Sequence, residues 1–141
     1  MKKNKTLLPA VLACALLPLP AAAQGLQQGE WEITGTTTSP MLPQPQSNTV
    51  RRCVSKEDAA DPARLATRDM QNCTVKQGPR DAGGYKWQFS CPSQGVAGDG
   101  SVRYTANTMN ADIRMMASKD GQKAELSTKI AARYLGPCQA K

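Results

Sequence analysis

Histidine is absent from this chain. With it go the commonest general base, the usual metal ligand and the side chain that ordinarily changes charge near neutral pH. Other catalytic signatures are missing too. No serine is followed three residues later by lysine, no GxSxG elbow occurs, and no glycine-rich loop ends in GK[ST]. No two cysteines stand at CxxC spacing, which removes a thioredoxin-like redox pair and the close pairs of a thiolate zinc site. Aromatic residues are few, with two Trp, three Tyr and one Phe, so these large groups must serve a core before they serve a ligand. Beyond the first residues no apolar run is long enough to span a bilayer. Basic residues there are scattered, Arg51-Arg52 being the longest run, which argues against a nucleic-acid partner.

What is there begins at the N-terminus. Lys2, Lys3 and Lys5 precede an apolar stretch from Leu7 to Leu19, and Ala21-Ala22-Ala23 follows. This is the three-part pattern of a secretory signal peptide, with cleavage expected after Ala23. The minor alternative is a lipoprotein modified at Cys14, but Leu12 suits that motif poorly and the apolar run continues past Cys14. Residues 24–141 are then expected to form a single exported domain. Without the leader lysines the net charge of +7 falls to a mild excess, enough for solubility and weak attraction to anionic polymers.

Period-two patterning dominates the rest. Trp31 and Ile33 alternate with Glu30 and Glu32, while Tyr85, Trp87, Phe89 and Cys91 alternate with Lys86, Gln88 and Ser90. Val102 to Ala106 continues the pattern. Ala111, Ile113, Met115 and Ala117 share one face, and Ala124, Leu126, Thr128, Ile130, Ala132 and Tyr134 make the longest stripe. A turn at Asp120-Gly121 pairs Ala117 with Ala124, Met115 with Leu126 and Ile113 with Thr128. A turn at Met109-Asn110 pairs Tyr104 with Met115 and Ala106 with Ile113, and both registers set apolar on apolar. Three prolines make 39–46 a loop. Ser55 and Asp61-Pro62 mark helix starts, so one short helical segment is expected near 56–70, packed by Leu65 and Met70. The fold class expected is all-β. An antiparallel meander of about seven strands forms a small barrel or strongly coiled sheet, with a two-sheet sandwich as the alternative.

Four cysteines remain after Cys14. A turn centred at Ala82 pairs Val75 with Phe89 and Gln77 with Trp87, and it sets Cys73 opposite Cys91 at disulfide reach. Cys53 and Cys138 then pair by elimination. In a small exported chain such a set is a disulfide framework rather than a reactive centre.

Short motifs run through the same stretches. Gly29-Glu30-Trp31 precedes a Pro/Met-rich loop, and Cys53 leads a short acidic helical segment to Asp61. Asn72-Cys73, the strand from Trp87 to Cys91, and Leu135-Gly136-Pro137-Cys138 complete the order. This arrangement resembles the secreted bacterial proteins of domain-of-unknown-function family 3617, over nearly the whole of residues 24–141. The resemblance implies an envelope location and four framework cysteines, and it implies no activity.

Several sites compete for a role. Glu30 and Glu32 share a face and imitate a carboxylate pair, although a solvated outer face explains them. Methionine thioethers bind Cu(I). Met115 fits the inner stripe as core filler, so the weak metal candidates are the exposed Met41 and Met116. The inward list mixes Trp31, Trp87, Phe89, Tyr104, Met115 and Tyr134 with small residues, and a barrel so lined either holds a small apolar ligand or interdigitates into a dry core. Arg51, Arg52, Lys76, Lys86, Arg103, Arg114, Lys129 and Arg133 fall mostly outward, toward an anionic polymer or an acidic envelope protein. The expectation is a non-catalytic periplasmic or secreted domain without a cofactor, binding an envelope component or a small apolar ligand. A methionine-based copper binder is the runner-up, and an unrecognised hydrolase comes last.

Overall fold

The computed structural model describes residues 25–139, apart from 63, 64, 66, 67 and 69. The signal peptide, its cut after Ala23 and Cys14 therefore lie outside the described residues, as does part of the segment expected to be helical near 56–70. The strands are β1 (Gly29–Thr38), β2 (Gln46–Val54), β3 (Thr74–Asp81), β4 (Gly84–Cys91), β5 (Val96–Tyr104), β6 (Thr108–Lys119) and β7 (Gln122–Gly136). One short helix, α1 (Lys56–Ala60), follows β2. It starts where the sequence places it, because the Ser55 hydroxyl accepts the Asp58 backbone N–H at 3.2 Å and satisfies a free donor of the first turn.

All seven strands belong to one antiparallel sheet in the order β2-β1-β7-β6-β5-β4-β3. The all-β expectation holds, and the form is a single sheet rather than a two-sheet sandwich. The sheet is not closed into a barrel. From β3 to β7 the chain is a continuous meander, and β7 then pairs with β1, so the first hairpin adds to the far side of the last strand. Closure would require β2 to meet β3. Of the described residues between them, Ala59 and Leu65 instead pack on one core cluster of the apolar face and Met70 on the other.

Two of the three expected registers are observed as drawn. Asp120 (φ 52°) and Gly121 (φ 77°) make the tight β6–β7 turn, and Ala117, Met115 and Ile113 face Ala124, Leu126 and Thr128. Val75 faces Phe89 and Gln77 faces Trp87. The turn there is Ala82-Gly83 rather than one centred on Ala82, and an irregularity between Gln77 and Arg80 restores the register. That irregularity contains Pro79, which has no N–H to give the ladder. The Met109-Asn110 turn is corrected: Tyr104 pairs with Met109 and Val102 with Ala111. The chain reverses earlier, at Thr105, whose hydroxyl accepts the backbone N–H of Asn107 and of Thr108. A threonine-based turn without glycine gave no signal comparable to Asp-Gly. The displacement is an even number of residues, so every side chain keeps its expected face.

The apolar face carries two clusters. Tyr85, Trp87, Phe89, Cys91, Val102 and Ala111 form one; Leu26, Trp31, Val54, Ala59 and Ala132 form the other. Tyr104 and Met109 touch both. Trp31 and Trp87 are the largest fully buried side chains, each worth on the order of 2–3 kcal/mol of apolar burial. The Gly-x-Trp motif acquires a physical reason here. Gly29 lies at φ 143°, and a β-carbon on it would collide with the Gly136 carbonyl and the Tyr134 ring. Trp31 stacks edge-on against that ring with centroids 5.9 Å apart and donates its indole N–H to the Gln27 carbonyl at 2.8 Å.

Candidate functional site

The expected ligand-lining residues stand on this apolar face. Trp31 and Tyr134 belong to one cluster, Trp87, Phe89 and Met115 to the other, with Tyr104 between them. Trp31, Trp87 and Phe89 are buried, while Tyr104, Met115 and Tyr134 are partly so. Gly98 and Gly100 on β5 leave the space into which the rings of Phe89 and Trp87 settle. Of the methionines named for metal, Met41 lies in the β1–β2 loop and Met116 on β6, and they are 74% and 41% exposed. Among the described residues no three His, Cys, Asp or Glu side chains converge on a metal-sized site.

The four expected framework cysteines are joined as expected. Cys73 pairs with Cys91, Cα to Cα 4.2 Å, and Cys53 with Cys138 at 5.5 Å. Two disulfides point to an oxidising, extracytoplasmic compartment. No helix among the described residues is long and apolar enough to cross a membrane.

The opposite face of the sheet is polar, and ladder pairing decides which charges meet. Arg51, Glu32 and Arg133 occupy one cross-strand row on β2, β1 and β7. Glu32 accepts two hydrogen bonds from Arg133 at 2.9 and 2.7 Å, and Arg51 lies 3.6 Å away. The Arg133 hydrogen bonds hold the Glu32 carboxyl below its ordinary value, with both arginine charges adding to the effect against some desolvation. Glu32 is thus part of a cation–anion–cation row, and Glu30 is not in it. Asp58 meets Arg68, Asp61 meets Arg80 at 2.6 Å, and Asp81 meets Arg103 at 2.8 Å.

A groove of about 530 Å³ crosses this polar face from β3 to β6. Ladder geometry sets its charged walls. Lys76 faces Gln88, Gln88 faces Asp99, and Asp99 faces Arg114; one rung along, Lys86 faces Ser101, which faces Asp112. Trp87 and Gly100 line the groove between these rows. None of Lys76, Lys86, Asp99, Asp112 or Arg114 forms an ion pair among the described residues. Sequence reading singled out Lys76, Lys86 and Arg114 as outward cations and missed Gln88, Asp99, Ser101 and Asp112 as their neighbours. The signal available was Asp99-Gly100-Ser101, in which polar residues alternate across a glycine. Glycines at 98 and 100 blank the apolar stripe there, so β5 reads as starting at Val102 instead of Val96.

No curated protein and no solved structure matches this chain. A family does: residues 26–138 match the one described as a protein of unknown function, DUF3617. That span runs from the first buried residue of the Trp31 cluster to the last framework cysteine, and it takes in the seven strands, the groove and both disulfides. The chain belongs to the DUF3617 family.

Proposed function

We propose that this chain is a non-catalytic binding domain of the bacterial cell envelope, and that its β3–β6 groove takes a polar, net-anionic envelope polymer. The observation carrying this reading is the contrast in pairing. Glu32, Asp58, Asp61 and Asp81 each form an ion pair with an arginine, whereas among the described residues none of the five charged side chains of the groove closes one, although Asp99 faces Arg114 and Asp112 faces Lys129 across the ladder. Charges aligned on a rigid ladder and not closed into ion pairs can hydrogen-bond a ligand without first breaking an internal pair. Three cations against two carboxylates favour a ligand of net negative charge. The lack of histidine and the arginine-bound state of the outlying carboxylates support a role without catalysis.

A small apolar ligand is the second reading, favoured by the half-buried Ile113, Met115, Leu126 and Ile130 on the other face. The two separate in one experiment. The disulfide-intact exported chain is titrated with purified lipopolysaccharide and, separately, with a fluorescent fatty acid. Polymer binding that weakens with salt, and about tenfold or more on Lys86→Ala with Arg114→Ala, fits the groove. Fatty-acid binding indifferent to both changes would move the site to the apolar face. Neither would refute both readings and leave copper dialysis with Met41→Leu and Met116→Leu as the next step.

A further inference from the structure

The two edges of the open sheet are treated differently. β3 is interrupted between Gln77 and Arg80 and carries Pro79, features that blunt a strand edge against further pairing. β2 has neither. It pairs with β1 without a break over nine residues, contains no proline, and is exposed at every position from Gln46 to Cys53. Among the described residues no strand pairs with its outward N–H and C=O groups, and its protection is limited to the charges of Arg51 and Arg52. At its centre sits Val50, one of the few large apolar side chains left exposed, at 43%.

We infer that β2 is a self-association edge, joining two copies of this chain through antiparallel β2–β2 pairing about a two-fold axis at Val50. The occupant follows from the strand's own sequence. Centring on Val50 sets Val50 on Val50, Thr49 opposite Arg51, Asn48 opposite Arg52 and Ser47 opposite Cys53, so no like charges stand face to face. Centring one residue later would set Arg51 on Arg51 and Val50 on Arg52. In the Val50 register the one like-charge contact is diagonal, between the two Arg51 side chains, and each is already drawn to Glu32 of its own copy. A single strand pair buries little area, so the dimer is weak and concentration-dependent, and salt strengthens it by screening the Arg51 pair.

The test is sedimentation of the disulfide-intact exported chain from micromolar to millimolar concentration, alone and as Val50→Lys and Val50→Glu. The natural chain should pass from one copy to two. Each variant alone should associate about tenfold more weakly, because like charges then oppose at the axis, and an equimolar mixture of the two should regain association. Amide exchange on the natural chain supplies a check that needs no variant: β2 amides should slow with concentration while β3 amides do not. A chain that stays single throughout, a Val50→Lys variant that dimerises as well as the natural chain, or β2 exchange independent of concentration would each overturn the inference.

Discussion

At the scale of single residues, Tyr85 is a titratable group held far from its ordinary value. Burial pushes its phenol up to about 12 from an ordinary 10, opposed by the Arg80 guanidinium 5.0 Å over the ring. Because the folded-state value lies above the unfolded one, the stability linked to Tyr85 is complete below pH 10 and is lost as pH rises toward 12. An ultraviolet titration should show Tyr85 ionising together with unfolding, and Tyr85→Phe should remove that part of the alkaline transition. If the variant unfolds at the same alkaline pH as the natural chain, burial of this hydroxyl is not what limits it. Glu32 works in the opposite sense. Its carboxyl is lowered chiefly by the Arg133 hydrogen bonds, so its contribution is present above about pH 4.5 and is lost as pH falls through the lowered value. Glu32→Gln should therefore flatten the acid limb of a stability–pH curve while leaving the slope above pH 6 unchanged; an unaltered acid limb would show that the row is too solvated to matter.

At the scale of elements, the β4–β5 pair depends on what β5 lacks. A β-carbon on Gly100 would fall within the Trp87 ring, and the ring, 2% exposed, has no open space to retreat into. Gly100→Ala should cost about 1–3 kcal/mol through overpacking, whereas Gly35→Ala, with nothing within 4 Å of the added carbon, should be near neutral. Thermal melts followed by tryptophan fluorescence compare them, and equal melting points would contradict the packing described for β4 and β5. These glycines also mark how far the sequence could be read. Where alternation was unbroken, as from Tyr85 to Cys91 and from Ala124 to Tyr134, strand, face and register were all legible. The Asp120-Gly121 turn was legible because positive φ has a residue signature. β5 was cut short because glycine hides a face, and its turn was misplaced because a threonine hydroxyl does the work that Asp-Gly does elsewhere. The groove inherited that gap: its β3, β4 and β6 cations were visible as outward positions, but the Asp99 and Ser101 wall was not. The unbroken exposure of β2 was hidden as well, since sheet order is decided by long-range pairing and not by local pattern.

At the scale of the whole molecule, the open sheet is held by the strap between β2 and β3. Between Val54 and Cys73, the described Ala59, Leu65 and Met70 pack on the apolar face, and a disulfide fastens each end. Cys53 ties its start to Cys138 beyond β7, and Cys73 ties its finish to Cys91 of β4. Between them Asp61 binds Arg80 of β3, whose guanidinium lies over Tyr85. The two disulfides close loops of very different length, 85 and 18 residues, for which chain entropy gives about 4.5 and about 3 kcal/mol. Burial narrows that difference. Cys91 is buried and Cys73 partly so, so replacing this pair with alanine also empties core space, at about 1 kcal/mol. Cys53→Ala with Cys138→Ala and Cys73→Ala with Cys91→Ala should thus destabilise by similar amounts. Their reduction should nonetheless be ordered, since Cys53 and Cys138 are both exposed and a reductant must reach a sulfur to exchange with it. Under mild reductant the first partly reduced species should carry free thiols at Cys53 and Cys138, read by alkylation and peptide mass mapping while the Cys73–Cys91 bridge persists. If Cys73 and Cys91 are alkylated first, the strap opens from its buried end, and the Tyr85 cluster is the weaker half of the core.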